Sequence, residues 1–132
     1  MTREMAEVED RFKNFVAKIG QVSAMVKKLA GENVPDFISM SLKANLIIGT
    51  KKYTLIVSPE ENNFIEGHDP FTEFLIKADN EQFWNDVFDG KYTFFGGYTQ
   101  SLVEIPNFRP HRYKVFYLSG MLAMLQNLGM GF

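Results

Sequence analysis

From Val115 to Phe132 the chain reads "VFYLSGMLAMLQNLGMGF", without one charged side chain, in a sequence where charged residues make up 23%. Such a stretch either crosses a membrane or folds against something apolar. It makes a poor span: Ser119-Gly120 and Gln126-Asn127 interrupt it and glycines weaken it as a helix. Crossing takes roughly 20 strongly apolar residues. The tail is therefore expected to fold onto the rest of the chain, and the rest decides the architecture.

With 132 residues there is room for one domain with a real core. Met5, Val8, Phe12, Phe15, Ile19, Val22, Val26 and Leu29 recur at alternating intervals of three and four. That spacing predicts a helix over residues 4–30, stopped by Gly31. Two uses fit it: a helix laid across a sheet, or one that also pairs with a second copy. Val16 and Met25 widen the stripe and Gly20 interrupts it, which favours the first. After a connector holding Pro35 the period drops to two. "LKANLIIG" and "KYTLIV" read as a hairpin, and "NNFIEG" and "TEFLIKA" as a second one around "HDPF". Four antiparallel strands in a meander are expected, with Tyr53, Leu55 and Val57 on one face and Phe74, Ile76 and Ala78 likewise.

"ADNEQFWNDVFDG" reads as a short helix, capped by Asp79 with Gln82 three further on and ended by Gly90. Its arc of Phe83, Trp84, Val87 and Phe88 faces inward, while Glu81, Asn85, Asp86 and Asp89 face water. "KYTFFGGYTQSLVEIPNF" reads as an irregular, mobile cover with a helical turn or two. "RYKVFYLSG" alternates as a fifth strand, and "MLAMLQNLG" as a closing helix ended by Gly129. The expected fold is α+β: a five-stranded, mostly antiparallel sheet covered by helices. It forms a single domain over residues 1–132, made of the helix 1–31, the strand meander 42–78 and the closing unit 79–132.

Composition narrows the function classes. A net charge of −2 gives no broad pull toward nucleic acid, and the absence of Cys excludes disulfide and thiolate chemistry. The N-terminus "MTREMAEVED" lacks the apolar run of a signal peptide, so a cytoplasmic location is expected. His68 and His111 are expected in separate turns with no nucleophile beside them, and no ligand spacing suggests a metal or cofactor. A catalytic role is not expected. Thirteen Phe, five Tyr and one Trp suit a packed core and equally the lining of an apolar ligand site. "NFRPHRYK" sets Arg109, Arg112 and Lys114 between rings. It reads as a solvated loop, or as a contact for an anionic headgroup, a phosphate or, transiently, a membrane surface.

"FLIKADNEQFWNDVFDGKYTFF" together with "YKVFYLSGMLAMLQNL" resembles the sterol carrier protein 2 family. The shared pattern is a strand leading through Asp79 into an aromatic helix ending Asp89-Gly90-Lys91, then Ser119-Gly120, then a Met- and Leu-rich helix ending Leu125-Gln126-Asn127-Leu128. The chain departs from the family in a longer, more aromatic stretch from Tyr92 to Pro110 and a more regular first helix. The resemblance implies a lipid-binding fold with an apolar cavity between sheet and helices, holding fatty acid, acyl-CoA, phospholipid or a sterol-like ligand without chemistry. The expected lining comes from Phe74 and Ile76 on the sheet and from Phe83, Trp84, Val87 and Phe88 on the short helix. Phe94, Phe95, Tyr98 and Leu102 add the cover, and Val115, Tyr117, Met121, Met124, Leu125 and Leu128 the tail. Gly96-Gly97 reads as a hinge for that cover, or as a turn with its rings tucked into the core. The rival to the whole lipid reading is an interaction module that needs no ligand and pairs through its first helix.

Overall fold

The computed structural model describes residues 3–31, 41–58 and 61–127. Pro35, Leu128 and Gly129, named above, lie outside them. The first helix, α1 (Arg3–Ala30), has the predicted length, and Gly31 ends it in the left-handed region at φ 60°. From Met5 to Val22 the apolar stripe is buried within the chain itself. Phe12 stacks on Phe64 at 4.7 Å and meets Trp84 and Phe88 edge-on at 4.8 and 5.0 Å. Over that length the stripe packs on the domain's own sheet and on α-helical rings beside it. Only its far end emerges: Leu29 is 81% exposed.

The sheet has four strands, β1 (Leu42–Ile48), β2 (Lys51–Val57), β3 (Asn62–Glu66) and β4 (Leu75–Ala78), in the order β3-β2-β1-β4. Gly49, at φ 64°, turns β1 into β2, which pair antiparallel from Leu42↔Val57 to Ile48↔Lys51. β3 adds to β2 antiparallel, as expected. The second hairpin, however, does not form. β4 lies on the other side of β1 and runs parallel to it, with Leu46 opposite Ile76 and Ile48 opposite Ala78. The sheet is therefore mixed, and the meander stops after three strands.

The reason lies in two polar residues inside strands. Ala44, Leu46, Tyr53, Leu55 and Phe64 share the buried face, packed beneath α1. Asn45 and Thr54 project from the opposite face, yet are only 6% and 1% exposed. They are covered by residues 67–74, which cross that face from the β3 edge to the β4 edge. Asn45 Nδ2 donates to the Asp69 and Thr72 carbonyls at 2.9 and 3.0 Å, and its Oδ1 accepts from the Asp69 N–H at 3.0 Å. Thr54 donates to the Gly67 carbonyl at 2.7 Å, and His68 Nε2 sits 2.8 Å from the Leu46 carbonyl oxygen. Backbone groups of a crossing loop need such partners. The strands supply them, so the loop goes over the sheet rather than around a hairpin. Both His68 and the Asp69-Pro70 turn serve this bridge.

The expected fifth strand is a helix. Residues 112–120 belong to α4 (Phe108–Asn127), which continues without a break into the closing segment apart from a kink at His111 (φ −117°, ψ 15°). The alternation Tyr113, Val115, Tyr117 matched a strand, but burial follows Val115, Leu118, Leu122 and Leu125, all 2% exposed or less, while Tyr113 is 53% exposed. A spacing of three and four sustained over that length is helical. What there is of a fifth strand sits elsewhere: Lys77 and Glu104 exchange backbone hydrogen bonds of 2.8 and 2.9 Å along the β4 edge. His111, expected in a turn, is the kinked residue of α4.

Two short helices close the core. α2 (Gln82–Phe88) buries Phe83, Trp84, Val87 and Phe88 as its arc predicts. Its start is fixed by Asn80, whose Oδ1 accepts from the Gln82 N–H at 2.9 Å, and not by Asp79. Asn85, expected in water, is buried at 9% exposure against α1, and Arg11 donates to its carbonyl at 3.0 Å while pairing with Asp89 at 2.7 Å. Gly90 ends α2 at φ 79°. α3 (Phe94–Thr99) supplies the helical turn of the cover, capped by Thr93, whose side chain accepts from the Gly96 N–H at 2.9 Å.

Candidate apolar binding site

Apart from Leu102 and from Leu128, which lies outside the described residues, the residues expected to line one cavity fall into two groups. The first is close-packed. Trp84 stacks on Phe94 at 5.3 Å with their planes 13° apart, and Phe83 meets both rings at 5.2 and 6.1 Å. Trp84, Phe94, Phe74, Ile76, Val115 and Leu125 have no measurable exposure, and Val87 and Phe88 have little. Gly97 completes this block. A Cβ there would stand 2.5 Å from the Phe83 ring, so only glycine lets α3 come this near to α2. Both Gly96 and Gly97 lie inside α3, and the close approach to Phe83 is made at Gly97. These rings pack between the sheet and α2.

The second group borders a groove that is open to solvent. Phe116, Tyr117, Gly120, Met121 and Met124 line a groove of about 340 Å³ on α4. Phe116 is half exposed and Gly120 has nothing within 4 Å of its Cβ position. Tyr117 forms one wall, and burial pushes its phenol above the ordinary tyrosine value. Four half-buried or exposed rings run beside the groove between α3 and α4: Phe95 contacts Phe116 at 4.8 Å and Tyr98 at 6.4 Å, and Tyr98 stacks on Phe108 at 4.6 Å. The Phe95 N–H donates to the Ser119 hydroxyl at 3.2 Å, tying the cover to α4 at the Ser119-Gly120 step. Leu102, at 44% exposure, borders a different and more polar cleft with Lys77, Asp79 and Glu104. Phe116, Gly120 and Phe108 were not among the expected lining residues. The signal that could have found them is the helical period of α4, hidden by the strand reading.

This geometry changes the account of the uncharged tail. Val115, Leu118, Leu122 and Leu125 pack inward, while beyond Lys114 the outward side of the same helix is uncharged although it meets solvent. The basic cluster lies at the start of that helix. Arg109 and Arg112 are exposed, whereas Lys114 is half-buried with its Nζ 6.0 Å from the centre of the Phe74 ring. His111 stacks on Phe74 at 5.3 Å with neither ring nitrogen hydrogen-bonded among the described residues. Burial, then the Lys114 charge, lower its pKa, against an opposing pull from Glu73. No group of three or more His, Cys, Asp or Glu among the described residues could hold a metal ion, and no described helix is long and apolar enough to cross a membrane.

Compared with known proteins, the chain matches no family model and no curated protein. Among solved structures it is similar to the solution structure of a conserved hypothetical protein from Thermus thermophilus, suggested there to be a sterol carrier protein. The two share 15% identity over 86% of this chain and 85% of that one, with a TM-score of 0.49.

Proposed function

We propose that this protein binds an apolar ligand with an alkyl chain, without chemistry, in the groove on the outer side of α4. The single observation that carries this reading is that groove: an open, uncharged depression whose walls are Phe116, Tyr117, Gly120, Met121 and Met124. Methionines and aromatic rings make an adaptable apolar wall. The motifs shared with the sterol carrier protein 2 family support the same reading, and among that family's ligands the groove favours an acyl chain. Its volume stands at the low end of the ~300–1,000 Å³ usual for ligand sites, a fit for a flexible chain before a fused ring body.

A chain that buried about eight methylenes there would gain about 6 kcal/mol gross at ~0.8 kcal/mol each. Immobilisation takes back ~4–15 kcal/mol, so firm binding of a longer chain needs more buried surface. Parting Phe95 from Phe116 would supply it by extending the groove beneath α3. The test is native mass spectrometry of the purified protein with and without added palmitate. A one-to-one complex weakened by Gly120→Phe, which places a ring in the groove, supports the reading. No complex at ligand excess, for protein shown to be folded, removes it.

A further inference from the structure

The groove is part of a longer surface. From Arg112 onward the outward positions of α4 are Arg112, Tyr113, Phe116, Gly120 and Met124, a strip about 18 Å long at 1.5 Å per residue. Tyr113 and Phe116 are 53% and 50% exposed. α4 contains no Asp or Glu anywhere, and beyond Lys114 it has no charge of either sign. Arg109 and Arg112, exposed at its first turns, have no salt-bridge partner among the described residues. An exposed helix face with cations at one end, then amphipathic rings, then bare apolar surface is unusual in water. It matches the depth profile of a bilayer interface, where guanidinium groups meet phosphates and aromatic rings sit at headgroup level.

We propose that this face of α4 docks on an anionic lipid membrane, with Arg109 and Arg112 at the phosphates and Tyr113 and Phe116 inserted among the headgroups. The choice of occupant follows from charge. Pairing with a second copy through the same face would leave the arginines of both copies without a counter-charge, because α4 has no carboxylate to offer them. An anionic lipid surface supplies that charge at every position. The inference goes beyond ligand binding and does not require it, since the face can dock with its groove empty.

The test is co-sedimentation of the full chain with phosphatidylcholine vesicles with and without phosphatidylserine. Binding is expected only to the mixed vesicles, falling as salt is raised. Replacing both arginines by Gln is expected to weaken it roughly thirtyfold. Phe116→Ser is expected to weaken it further, with circular dichroism showing that the helices remain formed at the assay temperature. No binding at low salt, binding indifferent to phosphatidylserine, or binding unaffected by both variants would each overturn the proposal. So would a concentration-dependent dimer, lost in Phe116→Ser, in a protein that ignores vesicles, because the occupant would then be a second copy. Titration with decanoate, a soluble acyl chain, separates the two ideas: decanoate bound without vesicles bound leaves the ligand reading standing alone, and the reverse leaves the docking face.

Discussion

Gly120 is the position where fold and function are expected to respond in opposite directions. It lies inside α4, exposed, with no atom within 4 Å of where a Cβ would stand. Glycine in a helix interior costs ~0.5–1 kcal/mol relative to alanine, and here nothing offsets the gain. Gly120→Ala should therefore raise stability by about that amount, a shift of about 2–5 °C in Tm for a domain of this size. A larger side chain at the same place enters the groove. Gly120→Phe, whose ring would displace two or three ligand methylenes at ~0.8 kcal/mol each, should weaken acyl binding roughly fifteenfold to fiftyfold. The assays are thermal unfolding by circular dichroism for both variants and palmitate titration for the second. A drop in Tm for Gly120→Ala would refute a continuous helix through Ser119-Gly120 and revive the strand reading. A stable Gly120→Phe with unaltered ligand affinity would refute the groove as the site.

Three further outcomes are expected. Gly97→Ala should destabilise the domain, because the ~1–3 kcal/mol of overpacking against Phe83, held by Trp84 and Tyr92, exceeds the ~0.5–1 kcal/mol helix gain. Urea unfolding reads the sign, and a stabilised variant would mean that Phe83 is free to move. Asn45→Ala strips three hydrogen bonds from the crossing loop and should cost about 2–4 kcal/mol by the same measurement, with a loss below about 1 kcal/mol arguing that the loop is not seated on the sheet. Asp69 has its carboxyl lowered to about 2 by the Lys43 ammonium, then by the Phe71 N–H. A depressed carboxylate adds stability above its unfolded value of 3.8, lost as pH falls from there through about 2. Lys43→Met should move the Asp69 titration, followed by NMR, up toward the ordinary range, and an unmoved titration would break the assignment of cause.

Much of this architecture was legible because it is local. The stripe from Met5 to Val22, the stop at Gly31 and the arc of α2 follow from periodicity and turn chemistry within a few residues. The place of β4 is not legible, since nothing in "HDPF" says which neighbour the next strand will choose; that is decided at a distance by Asn45 and Thr54. Polar residues inside apolar strands were the clue. The first half of α4 reads equally as a strand because alternation and helical spacing coincide over a stretch as short as Tyr113–Tyr117, and only continuation to Leu125 separates them. The site suffered with it: with α4 split in two, Phe116 and Gly120 could not be seen to share a side.

The ring column from Phe64 through Phe12 and Trp84 to Phe94 joins the sheet, α1, α2 and α3 in one line of contact. The chain has one indole, and it sits in the middle of that line. Its near-ultraviolet circular dichroism should thus act as a built-in gauge of tertiary order. Loosening any one of the docked pieces would quench that optical signal while the backbone helices stayed formed.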